Sequence, residues 1–128
     1  MLDVNPDTVC FLISKLREFH AKEEVVIPDT PGSPSEDWAM QVLADHADDY
    51  TYGEVVATVA DLDPVQQVNL VALMWLGRGD FGLDEWDEAI REAKGVWTPR
   101  TAQYLLSTPL ASDYIEEGLI QFGHGCND

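Results

Sequence analysis

The sequence predicts an all-α protein, a compact orthogonal bundle of six to seven helices around a central apolar helix at about residues 64–77. Apolar residues recur at spacings of three and four, which is typical of amphipathic helices. Proline follows a capping residue at Pro6, Pro64 and Pro99, which is typical of helix starts. Every residue from Leu70 to Leu76 is apolar. A helix without a polar face must be enclosed by other elements, so this segment is expected at the centre.

The opening helix is predicted to begin at Asn5–Pro6, a cap followed by proline. Its apolar stripe consists of Val9, Leu12, Ile13, Leu16 and Phe19. A loop inside one domain is predicted at about residues 27–35, which hold three prolines and a glycine. A short helix over 35–47 should follow.

A helix over residues 51–62 is expected next, with Thr51 and Glu54 at capping-box spacing. The central helix has a second such signal, because Asp63 precedes Pro64 and Gln66 lies three residues after the cap. Its length of about 20 Å is too short to span a bilayer. Residues 77–80, Gly-Arg-Gly-Asp, are expected to end it.

Three further helices are predicted in the last third of the chain. The first follows Asp84, the second begins at Thr98–Pro99, and the last begins at Pro109. The inner stripe of the first contains Trp86, Ile90 and Ala93, and the last has Leu110, Tyr114, Ile115, Leu119 and Phe122 as its apolar residues. Residues 1–128 are interpreted as one helical domain with a flexible tail at about 123–128.

Charge limits the classes of partner. The formal net charge is −17, from 24 acidic and 7 basic residues, and residues 28–63 contain nine acids and no Lys or Arg. Phosphate contacts require Lys and Arg, so direct nucleic-acid binding is not expected, whereas basic partners are favoured. Neither a signal peptide nor a membrane-spanning segment is recognised, which predicts a cytoplasmic protein without membrane attachment. Cys10 and Cys126 are therefore expected to be reduced thiols.

Neither catalytic, cofactor-binding nor metal-binding residues are predicted, and no cofactor is expected. His46 has three aspartates nearby, but without a defined ligand spacing. Residues 79–85 match the second half of a calcium-binding EF-hand loop. In that register the oxygen-donor positions would fall on Met74, Leu76 and Arg78, which excludes calcium binding.

Two motifs carry a family resemblance. The first is Trp-Leu-Gly-Arg-Gly-Asp-Phe at 75–81, and the second combines Pro109-Leu110, Asp113-Tyr114 and Glu116-Glu117-Gly118-Leu119. With these motifs the chain resembles a bacterial family known only as a domain of unknown function. The opening helix and residues 101–106 are similar too. The resemblance implies a small bacterial cytoplasmic helical protein and carries over no activity.

The leading functional hypothesis is a non-catalytic acidic module for protein interaction or regulation, with a protein partner or a second copy of the chain. The alternatives are a small enzyme or ligand-binding protein whose site is not visible in the sequence, and a DNA mimic. Residues with a predicted interaction or structural-motif role are Arg78, Asp80, Arg100, Tyr114 and Glu117. Tyr50, Tyr52, Trp97 and Tyr114 would form an aromatic contact surface if they are exposed; the equal alternative is that they lie at the edge of the core.

Overall fold

The computed structural model describes residues 2–22 and 48–126. Within these ranges the chain forms six α-helices, one short 3-10 turn and no strand. The helices are α1 (Pro6–His20), α2 (Tyr50–Ala60), α3 (Pro64–Arg78), α4 (Trp86–Gly95), α5 (Thr101–Leu106) and α6 (Ala111–Gln121), and the 3-10 turn is Leu83–Glu85. The all-α prediction is confirmed. The loop predicted at 27–35 and the helix predicted at 35–47 lie outside the described residues.

Helix α3 is the central element, as predicted. It begins with the expected capping box: Asp63 accepts a hydrogen bond from the Gln66 N–H at 2.9 Å, and the Gln66 side chain accepts one from the Asp63 N–H at 3.0 Å. Every residue from Gln67 to Leu76 is buried. None of the described helices is both long enough and apolar enough to cross a membrane.

The packing of α3 against α6 depends on glycine. A Cβ atom at Gly77 would overlap the carbonyl oxygen of Tyr114, and one at Gly118 would overlap the carbonyl oxygen of Leu73. The two helices therefore cross with their backbones in contact, which only residues without a side chain permit. Gly77 lies inside α3, and the helix ends at Gly79, whose φ of 95° is the left-handed cap conformation.

Helix α1 covers one side of this pair. All five residues of its predicted apolar stripe are buried in the core, and the helix packs against α6, α2 and α5. Arg17 donates hydrogen bonds to Asp113 at 3.0 Å and Glu116 at 2.7 Å, which ties α1 to α6 at the surface.

Four predicted helix starts are shifted. Helix α4 begins at Trp86, after the 3-10 turn that contains Asp84, and has no side-chain cap. Helix α2 is capped by Asp49, which accepts from the Tyr52 N–H at 3.0 Å, while the Thr51 hydroxyl donates to Glu18 on α1. Helix α5 begins at Thr101, because Thr98 instead accepts from the Arg100 N–H in the preceding turn. Helix α6 begins two residues after Pro109, at Ala111. Thr51 and Thr98, the expected caps of two helices, instead bond to a neighbouring helix and within a local turn.

The two cysteines are joined. Cys10 on α1 and Cys126 form a disulfide, with Cα atoms 5.5 Å apart, within the usual range for such bonds. The prediction of two reduced thiols is wrong. Separation along the chain, here 116 residues, says little about distance in space, because the packing of α6 on α1 brings the chain end back to the first helix.

Candidate docking groove

An open groove lies between the first half of α3 and the second half of α4. Its cavity volume is about 390 Å³, within the range of binding sites for small molecules. It is lined by Pro64, Val65, Val68, Asn69, Ile90, Lys94 and Trp97. Most of these side chains are apolar, so the groove is a place where a partner can bury apolar surface.

Helical spacing places these side chains in two facing rows. Val65, Val68 and Asn69 follow one face of α3, and Ile90 and Lys94 follow one face of α4. Val68 is buried in the floor, whereas Val65 at the edge is 55% exposed. Ile90, predicted as part of an inner stripe, is only half-buried because its outer side faces the groove.

Buried Gln67 fixes the position of Trp97. Its side-chain oxygen accepts a hydrogen bond from the indole N–H of Trp97 at 2.8 Å. Its amide nitrogen donates to the carbonyl oxygens of Val59 at 2.9 Å and Leu62 at 3.1 Å. One side chain thereby connects the end of α2, the wall of α3 and the segment after α4. This hydrogen bond holds the indole ring in place.

The polar groups of Asn69 are used within the protein. Its amide nitrogen donates to the carbonyl oxygen of Val65, and its side-chain oxygen accepts from the Asp3 N–H, both at 2.9 Å. An occupant therefore meets little unsatisfied polarity along the α3 wall. Binding would draw on apolar burial, which stabilises by about 25 cal/mol per Å² removed from water.

Several exposed charged residues adjoin the lining of the groove, in sequence or by one helical turn. Lys94 is exposed among the lining residues. Asp3 follows Leu2 beside Asn69, Asp63 precedes Pro64, and Asp87 lies one helical turn before Ile90 on α4. All three aspartates are exposed. We call Asp3, Asp63 and Asp87 the rim carboxylates. The cations placed by the same criterion are two, Lys94 in the lining and the exposed Arg91 next to Ile90.

Residues 75–81, the first sequence motif, make side-chain contacts at the other end of α3. The Trp75 indole N–H donates to the Tyr104 hydroxyl at 2.9 Å, and its ring stacks on Phe81 with centroids 6.2 Å apart. Arg78 donates from Nε and Nη2 to Asp80 at 2.9 and 2.6 Å. Burial raises the pKa of Tyr104, against the opposing effects of Trp75 and Arg78. These contacts join the end of α3 to α5.

The predicted interaction residues do not form one site. Arg78 and Asp80 pair with each other, and Tyr114 is half-buried at the α3–α6 crossing. Arg100 is exposed in the turn before α5, and Glu117 is exposed on α6. None of the five lines the groove.

Only part of the groove is predictable from the sequence. Trp97 was among the aromatic residues expected at a contact surface, and of the others Tyr50 is exposed while Tyr52 and Tyr114 are half-buried. Val65 and Ile90 are apolar residues at helical spacing, a pattern that core residues share. A groove between two helices depends on their crossing, which apolar spacing within each helix does not reveal.

The remaining polar residues have structural surroundings. The His20 Nε2 atom lies 2.7 Å from the Leu106 carbonyl oxygen, its Nδ1 atom is buried without a partner, and burial lowers the pKa of the imidazole. His46 lies outside the described residues. Over 2–22 and 48–126, no three His, Cys, Asp or Glu side chains gather as a metal site would require.

Fold and groove together define an all-α bundle with an open, largely apolar groove. The chain belongs to the family described as "Protein of unknown function (DUF3775)", whose model matches residues 52–124. The predicted membership of a family of unknown function is confirmed, and no activity comes with it. The match begins after α1 and ends at residue 124, so Cys10 and Cys126 both lie outside it. No curated protein and no solved structure matches the chain.

Proposed function

We propose that this protein is a non-catalytic, acidic interaction module that docks a partner protein in the groove between α3 and α4. The observation that carries this proposal is the groove itself. Its walls are largely apolar, its Asn69 and Trp97 polar groups are bonded within the protein, and Val65 stands exposed at its edge. Such a preformed surface suits recognition of apolar side chains, because little ordering is needed on binding.

The lining residues argue against catalysis in the groove. A reaction needs a nucleophile, a base or an oxyanion-stabilising group converging on one point. Among the residues that line the groove, Lys94 is the single titratable side chain. A small enzyme is therefore poorly supported at this place.

A second candidate function is the binding of a small apolar carboxylate. The volume of about 390 Å³ fits such a molecule, and Lys94 would pair with its charge. Ligand pockets usually bury most of the ligand's surface, however, and here the edge at Val65 is open. An open edge favours a protein segment, whose backbone continues beyond the groove.

The proposed location is the cytoplasm. Disulfides in that compartment are usually transient, so the Cys10–Cys126 bond would be reversible there. Trapping free thiols with an alkylating agent during cell lysis, followed by mass spectrometry, tests this. A cross-link that never appears reduced in the cell of origin would instead place the protein in an oxidising compartment.

Site-specific photocrosslinking tests the docking function. A photoreactive phenylalanine analogue replaces Val65 at the groove, and a matched one replaces Ile120 on α6, which is 52% exposed against 55% for Val65. We expect a discrete adduct with one protein from position 65 and none from position 120. That protein, once purified, should bind the unmodified chain in solution.

The same experiment separates the alternatives. Identical adducts from both positions, or none from position 65, would contradict docking in the groove. A DNA mimic would cross-link to a DNA-binding protein, and that complex would weaken steeply with added salt. Recovery of a small apolar acid with the purified chain would favour the second candidate.

A further inference from the structure

We propose that the partner segment docked in this groove is a basic amphipathic one, with apolar side chains entering the groove and Lys or Arg residues flanking them. This inference rests on the proposed docking function and adds the chemistry of the partner. It is carried by two features together, the apolar lining and the rim carboxylates.

The lining selects the apolar part of the partner. The Asn69 amide is occupied on both sides, and the Trp97 indole N–H is bonded to Gln67. A polar side chain entering beside them would lose its water without gaining a partner, which costs free energy. Aliphatic or aromatic side chains meet no such cost. Their entry removes apolar surface of both partners from water, which favours binding.

The rim carboxylates favour a partner segment that carries positive charge beside its apolar side chains. Asp3, Asp63 and Asp87 are exposed and adjoin residues that line the groove, where Lys94 and Arg91 offset part of their charge. The chain as a whole carries a net charge of −17. Cations placed on either side of the apolar anchors would approach these carboxylates as the anchors enter. Charge of this kind acts mainly on the rate of association and on the choice of partner.

The charge of the whole chain disfavours other occupants. A second copy would bring another net charge of −17 against the same surface. Anionic membrane surfaces and nucleic acids carry the same sign and would be repelled. A basic amphipathic protein segment can bury apolar side chains in the groove and is attracted by the net negative charge of the chain.

Three labelled synthetic peptides test the inference by fluorescence anisotropy at about 0.15 M salt. The first places Leu at helical spacing among Lys residues, the second replaces Lys with Glu, and the third replaces Leu with Ser. We expect the Lys/Leu peptide to bind at least tenfold more tightly than either of the others. Binding of the Lys/Ser peptide at equal strength would show charge attraction without a groove and overturn the inference.

Val65→Asp and Ile120→Asp form a matched pair, because the two positions are similarly exposed and both changes add a carboxylate. Charge alone would strengthen binding of a basic peptide to both variants. We expect Val65→Asp to weaken it at least tenfold and Ile120→Asp to change it less than twofold. If Val65→Asp has no effect, docking in the groove fails altogether, and the proposed function fails with it.

The rim is tested by Asp3→Asn with Asp87→Asn, against the control pair Asp48→Asn with Glu117→Gln, which removes the same charge elsewhere. All four positions are exposed. We expect the affinity for the Lys/Leu peptide to fall about threefold to tenfold in the rim pair and less than twofold in the control pair. Equal losses would contradict selection by the rim. If the Glu/Leu peptide binds as tightly as the Lys/Leu peptide and Val65→Asp abolishes both, the basic partner is wrong while docking in the groove stands.

Discussion

Two glycines set how closely the central helix approaches α6. Gly77 and Gly118 both lie within helices, where glycine is less favourable than alanine by roughly 0.5–1 kcal/mol. Each is opposed by a backbone carbonyl of the other helix, at Tyr114 and Leu73. Both belong to the motifs that carried the family resemblance. The crossing therefore gives those motifs a structural explanation that needs no ligand.

The first prediction concerns this crossing. Gly118→Ala should lower the free energy of unfolding by about 3 kcal/mol or more, because a backbone carbonyl cannot rotate away as a side chain would. Gly53→Ala is the matched control, since it lies in α2 with open space around it and should stabilise by roughly 0.5–1 kcal/mol. Urea denaturation measures both. Equal effects of the two changes would contradict a backbone crossing at Gly118.

The second prediction concerns His20. Burial lowers the pKa of this imidazole below its ordinary 6.5, although the hydrogen bond with Leu106 acts in the opposite direction. As pH falls below 6.5, the unfolded chain binds a proton that the folded chain does not, so stability falls. One such proton contributes at most about 1.4 kcal/mol per pH unit.

Replacement of His20 tests this. His20→Gln should remove that contribution, so its free energy of unfolding should decrease less than that of the wild type between pH 7.5 and 5.5. His124→Gln, at an exposed position outside the helices, should keep the wild-type pH dependence. Parallel curves for wild type and His20→Gln would show that His20 is not the group responsible.

At the scale of elements, α1 is firmly part of the bundle although the family match begins after it. Its five buried apolar side chains enter the common core, and Arg17 ties its surface to α6. Near its other end, Lys22 pairs with Asp49 at the start of α2. The disulfide adds a covalent connection from α1 to Cys126, beyond the end of α6.

The third prediction is that reduction of Cys10–Cys126 lowers the free energy of unfolding by about 2–5 kcal/mol, since the bond closes a loop across 116 residues of sequence. Urea curves with and without dithiothreitol measure the difference. The double variant Cys10→Ser/Cys126→Ser should have the same free energy of unfolding as the reduced protein, and dithiothreitol should not change it. A wild-type midpoint unchanged by reductant would mean that the cross-link is absent or contributes no stability.

At the scale of the whole molecule, charge dominates. Among the described residues, Lys15, Arg17, Lys22 and Arg78 form ion pairs with carboxylates. Across the whole sequence, 24 acidic residues are too many for 7 cations to neutralise. Surface ion pairs typically contribute between about 0 and 1 kcal/mol each. Repulsion among the remaining carboxylates acts on the folded state more strongly than on an expanded chain.

The fourth prediction follows from this imbalance. Raising sodium chloride from about 0.01 M to 0.15 M, which shortens the Debye length from about 30 Å to 8 Å, should raise the thermal midpoint. Sucrose at matched osmolality separates this screening from solute exclusion. A midpoint that falls with salt would show that the ion pairs, such as Arg17 with Asp113 and Glu116, outweigh the general repulsion.

The sequence by itself determined the features that depend on neighbouring residues. The capping box of Asp63 and Gln66, the buried stripe of α1 and the enclosure of residues 70–76 all follow from hydrogen bonds and spacings within a few residues. These patterns were enough to predict an all-α bundle around the helix that begins at Pro64.

Only the tertiary structure decided which helix faces meet. The contact of Gly77 with α6, the bond between Cys10 and Cys126, and the exposed side of Ile90 all depend on how helices distant in sequence cross. The spacing of apolar residues predicts which face of a helix is buried. It does not predict which other helix covers that face, or along how much of its length. The groove exists because the contact between α3 and α4 leaves part of both apolar faces uncovered, and that property belongs to the pair.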